Sequence, residues 1–209
     1  MNNTKTDAGF EARRRKKLVL VSCFSTAVIV MILLALMDLI GDIRTDASAY
    51  EIRYETDDTF SQAGKVYRLY IDNELRGNID QNEYCLMDEN GNTDYKYCRI
   101  MDDASRFTYF LILSVMIYIV LIIAKEALES TPFTINNIRL VKVIAVLQLL
   151  LSILPGAVKS AMSFLKFSYS STVLDEKWLF MVIIAFVIGA IAHIFERGLV
   201  IQEDVDSIA

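Results

Sequence analysis

Few side chains in this 209-residue sequence could do chemistry. It has one histidine, His193, and three cysteines, Cys23, Cys85 and Cys98. Nucleophilic triads, the zinc-binding HExxH helix, Gly-rich phosphate loops and paired CxxC sites need residue types at spacings that do not occur here. No catalytic residue, metal ligand or cofactor is therefore assigned, and the chain is expected to be non-enzymatic. Its acids are numerous but gather in one hydrophilic segment, where a run of charge reads as a hydrated face.

Covalent chemistry is expected at one place. Tyr84-Cys85-Leu86-Met87 and Tyr95-Lys96-Tyr97-Cys98-Arg99-Ile100 flank Asp88 to Asp94, whose Asn-Gly step is a strong hairpin signal. Folding about Gly91 and Asn92 sets Cys85 opposite Cys98, and outside a bacterial membrane the redox setting permits a disulfide. Folding about Asn90 and Gly91 shifts the partners by one, which leaves two free thiols. A metal site competes poorly, since no second pair or nearby histidine exists.

Three polar residues interrupt otherwise apolar stretches: Asp38, Gln148 and His193. Polar groups inside a membrane are default functional candidates. Asp38 and His193 fall within a turn or so of a stretch's end, where water or headgroups can solvate them, so they read first as anchors. Gln148 is nearer mid-span and suits an interhelical hydrogen bond of about 0.6–2 kcal/mol.

The elements that carry these residues are four apolar stretches, 18–40, 107–124, 140–158 and 178–195, each near the ~20 residues that cross ~30 Å of hydrocarbon. Soluble core helices would keep a polar stripe at 3.6-residue spacing. The expected fold is an all-α membrane protein of four transmembrane helices, with a small β-hairpin-containing extracytoplasmic insertion between helices 1 and 2. Around the spans lie a basic N-tail (1–17), the acidic insertion (41–106), a cytoplasmic turn (125–139), an outer loop (159–177) and a C-tail (196–209). The insertion holds fifteen acidic and eight basic side chains, net −7 against −5 for the chain. That balance argues against nucleic acid, whose phosphates need clustered Lys and Arg. The lipid bilayer is the implied partner, with room for a membrane or cytoplasmic protein.

Arg13-Arg14-Arg15-Lys16-Lys17 directly before the first span sets both termini in the cytoplasm of a multi-pass cell-membrane protein. Two processing motifs compete with that reading. Leu20-Val21-Ser22-Cys23 is lipoprotein-like, but apolar sequence runs well past Cys23; Ala47-Ser48-Ala49 has the form of a cleavage site but follows a span too long for a signal peptide.

Val66 to Ile71 alternates and meets a turn-prone Asp72-Asn73, which predicts a first hairpin. Before the third span, Pro132 ends a helix and Thr134 can cap the next by accepting from the backbone N–H of Asn137. Pro155-Gly156 is expected to end or kink the third helix. The loop after it, with Phe164, Phe167 and Tyr169 among serines and lysines, suits a membrane interface. Ala185 and Gly189 form a small-xxx-small step that favours close helix packing, within the chain rather than between copies. No internal repeat of the transporter kind is present.

Two stretches carry a family resemblance: Thr131-Pro132-Phe133-Thr134 with Asn137 and Arg139-Leu140, and the ending Ile194-Phe195-Glu196-Arg197-Gly198-Leu199-Val200-Ile201-Gln202-Glu203-Asp204. Together they resemble an uncharacterised bacterial family of four-helix membrane proteins, the domain of unknown function 2975. Its members show Pro-Phe-Thr-x-x-Asn-x-x-Arg-Leu before helix three and Phe-x-x-Gly-x-x-x-Gln-Glu after helix four. On these motifs Pro132, Phe133, Thr134, Asn137, Arg139, Gly198, Gln202 and Glu203 are the family positions. Members usually continue Glu-Asn-Asp-Leu-Thr, whereas this chain runs Asp204-Val205-Asp206-Ser207-Ile208. Neighbouring helix-turn-helix regulators in that family imply a regulated membrane component. The expected function is sensing, regulation or partner binding through the extracytoplasmic loop. The alternative is a small transporter, channel subunit or peptide-immunity protein.

Overall fold

The computed structural model describes residues 4–57, 64–79, 84, 86–88, 90–129, 134–168 and 176–208. Helix α1 (Thr4–Arg44) is followed by a short 3-10 turn (Ala47–Ala49) and strands β1 (Tyr50–Asp57), β2 (Gly64–Ile71) and β3 (Glu74–Ile79). Helices α2 (Tyr95–Glu129), α3 (Ile135–Phe167) and α4 (Glu176–Ile208) complete the described chain. The expected class holds: an all-α membrane protein with a small antiparallel sheet between its first two helices.

Among the described residues, four stretches are long and apolar enough to cross a membrane: Ser22–Arg44, Tyr95–Glu126, Ile135–Phe167 and Trp178–Ile201. At most 17% of the residues in their apolar windows are buried. Side chains such as Phe180 and Phe186 face outward, 65% and 71% exposed. In water such a surface would be a severe liability, whereas hydrocarbon is its natural solvent. A helix of 33 residues is roughly 50 Å long, well beyond the ~30 Å of hydrocarbon, so α2 and α3 have length to spare for other packing.

The chain divides into two compact units. One, the helical unit, comprises Met1–Leu33, Tyr109–Ile153 and Leu174–Ala209; the other, the sheet unit, comprises Leu34–Thr108 and Leu154–Val173. In the helical unit Ile112, Met116 and Ile119 of α2 pack with Ile144 and Leu151 of α3, and Ile188 of α4 closes on them. A Cβ added at Gly189 would lie 3.8 Å from that of Ala145, so the Ala185–Gly189 step is used inside the chain, with Ala185 itself buried. Ser114, also buried, returns its hydroxyl proton to the carbonyl of Leu111 at 2.6 Å.

In the sheet unit the strands run antiparallel in the order β1-β2-β3. Tyr50 pairs with Ile71, Ile52 with Leu69 and Tyr54 with Tyr67, so period-2 alternation puts aromatic and aliphatic side chains on one face. The turn Asp72-Asn73 has φ of 51° and 63°, the left-handed pair that a two-residue hairpin requires and that Asp and Asn tolerate. A register shift between Leu69 and Tyr70 brings Leu69 against Gly77, where φ of 154° suits glycine. The apolar face packs on Tyr84, on Cys98 and Met101 of α2, and on Phe167 of α3.

Three expectations are corrected. Tyr95–Ile100 is the start of α2, not a strand: Asp94 caps it, accepting from Tyr97 N at 2.9 Å through Oδ1 and from Cys98 N at 3.1 Å through its carbonyl. The Asn-Gly turn is real, with Gly91 at φ 80° and a single bridge between Met87 and Thr93, but the chain then enters a helix instead of a return strand. Symmetric pairing of Cys85 and Cys98 thereby loses its basis. Cys85 lies outside the described residues, no disulfide is seen among those described, and Cys98 is buried on the helix. Finally, of the two outcomes expected at Pro155-Gly156, an end or a kink, the end is excluded: α3 continues to Phe167 and takes in the start of the expected outer loop. A helical proline forfeits one backbone bond, and the carbonyl of Pro155 accepts the Ser105 hydroxyl at 2.9 Å.

Candidate functional site

The densest polar chemistry lies in the sheet unit. Asp42, near the end of α1, accepts from the Tyr50 hydroxyl at 2.9 Å through Oδ1 and from Arg99 Nε at 3.0 Å through Oδ2. Arg99 also faces Asp103, one helical turn on, with Nη2 3.4 Å from Oδ1, and Arg106 Nη1 approaches the same oxygen at 3.7 Å. Asp103 is 1% exposed, and neither of its oxygens makes a hydrogen bond among the described residues. Two carboxylates from different helices thus share one guanidinium in a largely buried setting, where charges interact more strongly than in water.

A second group lies beside it. Tyr84 donates to Asp102 Oδ2 at 2.8 Å, and Lys159 of α3 pairs with Oδ1 at 2.7 Å. Tyr97 donates to the carbonyl of Met162 at 3.1 Å and stacks edge-on against Phe167, and Lys166 approaches Asp94 at 3.3 Å. Burial, helped by the Asp42 charge, pushes the Tyr50 phenol above its ordinary range. Burial and the neighbouring Asp102 do the same to Tyr84. On the sheet's other face Arg53 bonds Glu51 and Asn73, each at 2.6 Å, and lies 4.4 Å over the Tyr70 ring. Arg53 holds the Glu51 carboxyl below the usual range.

Beside the Asp42–Arg99 pair is a polar cavity of about 180 Å³. Asp38, Gly41, Asp42 and Thr45 line it from α1, and Ile71, Asp72, Arg76 and Arg99 face them. Asp38, singled out as an intramembrane polar position, is thereby a wall residue of this cavity.

The other sequence candidates lie in the helical unit and do not gather at one site. Gln148 is half-buried on α3. His193 is exposed, its Nδ1 3.4 Å from Glu196 Oε2, and Glu196 accepts from Lys142 Nζ at 2.7 Å through both oxygens. Thr134 Oγ1 accepts from the N–H of Asn137 at 3.2 Å, the geometry of a helix cap, and Asn137 is buried while Arg139 is exposed. Pro132 and Phe133 lie outside the described residues. Gly198 is exposed on α4 with open space where a Cβ would be; Gln202 and Glu203 continue that helix.

Sequence reasoning missed Asp42, Arg99, Asp103, Tyr84 and Lys159 as a connected set. A signal existed in the Arg99-x-x-x-Asp103-x-x-Arg106 spacing, which places three charges on one helix face. No protein-family model, no curated protein and no solved structure matches this chain.

Proposed function

We propose that this integral membrane protein is a non-enzymatic sensing or regulatory component of a bacterial cell membrane, with both termini cytoplasmic and the sheet unit outside. One observation supports this above the rest: the core of the sheet unit is shared between strands and the helices α2 and α3. Leu69 and Ile71 close on Cys98, Met101 and Phe167, while Tyr50 reaches Asp42 on α1. A ligand or partner that shifts the strands acts directly on helices that also contain apolar spans. The basic run Arg13 to Lys17 supports the orientation, and the likeness to the domain of unknown function 2975 supports a regulated membrane component.

The test is genetic. Deleting the gene should change expression of an adjacent operon or a stress response, and the wild-type chain should restore it. A chain with Asp42→Asn and Arg99→Met, checked for insertion, should not. Full restoration by that double variant would remove the sheet unit from the mechanism. A change in flux or toxin resistance on Gln148→Glu, with folding intact, would favour a transport or immunity role. Reporter fusions at the C-terminus check the orientation; an extracytoplasmic signal there would reverse it.

A further inference from the structure

We propose that Asp42 and Asp103 form a proton-operated latch between the end of α1 and the start of α2. One proton between the two carboxyls joins the helices, and its release leaves two like charges competing for Arg99. Extracytoplasmic acidity is then the stimulus of the sensing role; that role rests on the reading of the sheet unit as a sensor, whereas the latch stands on the cluster's geometry.

The two acids are unequally served. Asp42 accepts from the Tyr50 hydroxyl at 2.9 Å and from Arg99 Nε at 3.0 Å, whereas Asp103 has Arg99 and Arg106 only at 3.4 and 3.7 Å. Both oxygens of Asp103 are buried and accept no hydrogen bond among the described residues. A carboxylate so placed bears the penalty of desolvation, which a buried acid relieves by taking up a proton. The acceptor for that proton is at hand, since the two carboxyls lie within hydrogen-bonding reach of each other. As carboxylates both are acceptors and offer each other nothing; protonated, Asp103 donates to Asp42. Burial first, then Asp42, raises the Asp103 carboxyl above the usual carboxylate range, against the pull of Arg99 and Arg106. Burial acts in the same sense at Asp42, but hydrogen bonds from Asp103, Tyr50 and Arg99 together outweigh it and hold that carboxyl below the usual range. The proton therefore resides on Asp103.

The surrounding groups leave this proton to the pair. Tyr84 and Lys159 of α3 are taken by Asp102, Tyr50 of β1 is taken by Asp42, and Arg106 is half exposed to solvent. Asp42 lines the polar cavity of about 180 Å³, with Asp38 beside it and Asp72 and Arg76 among the facing residues, so a proton reaches the pair from the cavity while Asp103 stays closed off. Asp42 follows the apolar stretch 18–40 and Asp103 precedes 107–124, which sets the latch outside the hydrocarbon.

Folding raises the Asp103 pKa, so the folded state binds more protons than the unfolded chain from about pH 4 up to the raised value. This stabilisation is complete below that interval and is lost as the pH rises through the folded value. Above it Asp103 is a carboxylate held by Arg99 and Arg106 alone. Mild acid should therefore tighten the sheet unit, the reverse of what it does to a purely structural ion pair.

The experiment uses the full-length protein in phosphatidylcholine nanodiscs between pH 8 and 6. Infrared difference spectra should show a protonated-carboxyl band growing as the pH falls, above the range of ordinary carboxyls, and Asp103→Asn should lack it. The folding constant from denaturant titration should rise on acidification by up to about tenfold per pH unit. Asp103→Asn, whose amide N–H donates to Asp42 in the proton's place, should show a level profile and match or exceed the wild type at pH 8. Amide exchange at Gly41 to Thr45, corrected for its intrinsic pH dependence, should slow on acidification in the wild type only. His193 is present in both chains and cancels in the comparison; Asp46→Asn, an exposed acid outside the pair, should behave as the wild type. Should Asp103→Asn fail to fold, the wild-type infrared and exchange profiles decide by themselves. A wild-type folding constant that is flat or falls from pH 8 to 6, absence of the carboxyl band, or an Asp103→Asn chain that keeps the full rise overturns the latch. Failure here leaves the sensing role to its own complementation test, and failure of that test leaves the latch as a property of the fold.

Discussion

The hydroxyl of Tyr84 donates to Asp102 across 2.8 Å, and the same carboxylate takes Lys159 at 2.7 Å, so one acid ties a residue of the insertion to α2 and α3 together. The neutral phenol is the form this arrangement favours, as it is at Tyr50. Folding raises both pKa values above the ordinary tyrosine value near 10. The folded state therefore keeps protons that the unfolded chain releases once the pH passes about 10. Stability should be flat in this respect below pH 10 and fall above it. Melting of the detergent-solubilised protein between pH 8 and 11 checks this. The double variant Tyr50→Phe/Tyr84→Phe should show a shallower alkaline decline, and an unchanged slope would contradict it.

Arg99 is the shared cation of Asp42 and Asp103, and its loss should be severe. Arg99→Met leaves a 1% exposed carboxylate with Arg106 at 3.7 Å as its remaining guanidinium. Breaking one side of a buried pair costs about 3–5 kcal/mol. Adding Asp103→Leu should recover much of that loss, since it removes the stranded charge. Denaturant titration of both variants gives the comparison, and equal stability of the two would count against the pairing.

Leu69 and Leu75 lie on the two strands of one hairpin with opposite fates. Leu69 is 1% exposed at the centre of the sheet's core, while Leu75 is 52% exposed. Leu69→Ala should destabilise by about 2–5 kcal/mol through lost burial and a cavity. Leu75→Ala should stay within about 0.5 kcal/mol. Proteolysis of the native protein reports both, since a loosened sheet should be cut faster only in the first variant.

Thr134 holds the start of α3 through the N–H of Asn137. Thr134→Ala should cost about 0.5–2 kcal/mol, and Thr134→Ser should restore most of it because the accepting oxygen returns. Amide exchange at Asn137 is the direct readout; unchanged protection in the alanine variant would show that the cap contributes nothing.

Much of the frame was legible because apolar length is a strong signal. Asp72-Asn73 was readable too, since two residues that tolerate positive φ between alternating runs have few other uses. Tyr50-Ile52-Tyr54 alternates with Glu51-Arg53-Glu55 and would have revealed β1 by the same reasoning. Tyr95 to Ile100 misled because its alternation fits a strand, while Asp94 was counted as part of the turn and not as a cap. At Pro155 the residue type alone could not separate an end from a kink; the helix runs on because Ser105 of α2 bonds the Pro155 carbonyl and Phe167 packs into the sheet's core further along. The Asp42–Arg99–Asp103 cluster was least legible: 57 residues separate Asp42 from Arg99, and only the register of the fold brings them to 3.0 Å.

Phe167 contributes to the sheet's core from the far end of α3, about a hundred residues after Leu69. A ribosome feeding this chain into the membrane delivers the three strands long before it delivers that side chain. Until then the apolar face of Tyr50, Leu69 and Ile71 is covered by Tyr84, Cys98 and Met101, with Ile79, Leu86 and Tyr97 at its margin, but lacks Phe167 and Met162. Assembly of the module must therefore wait on insertion of the third helix, and a nascent chain stalled between the second and third spans would present an open, sticky sheet to chaperones and proteases. Truncation after residue 150, which removes Phe167 together with Met162, Lys159 and Lys166, should accordingly yield a rapidly degraded protein, and Phe167→Ala in the full chain should share part of that fate.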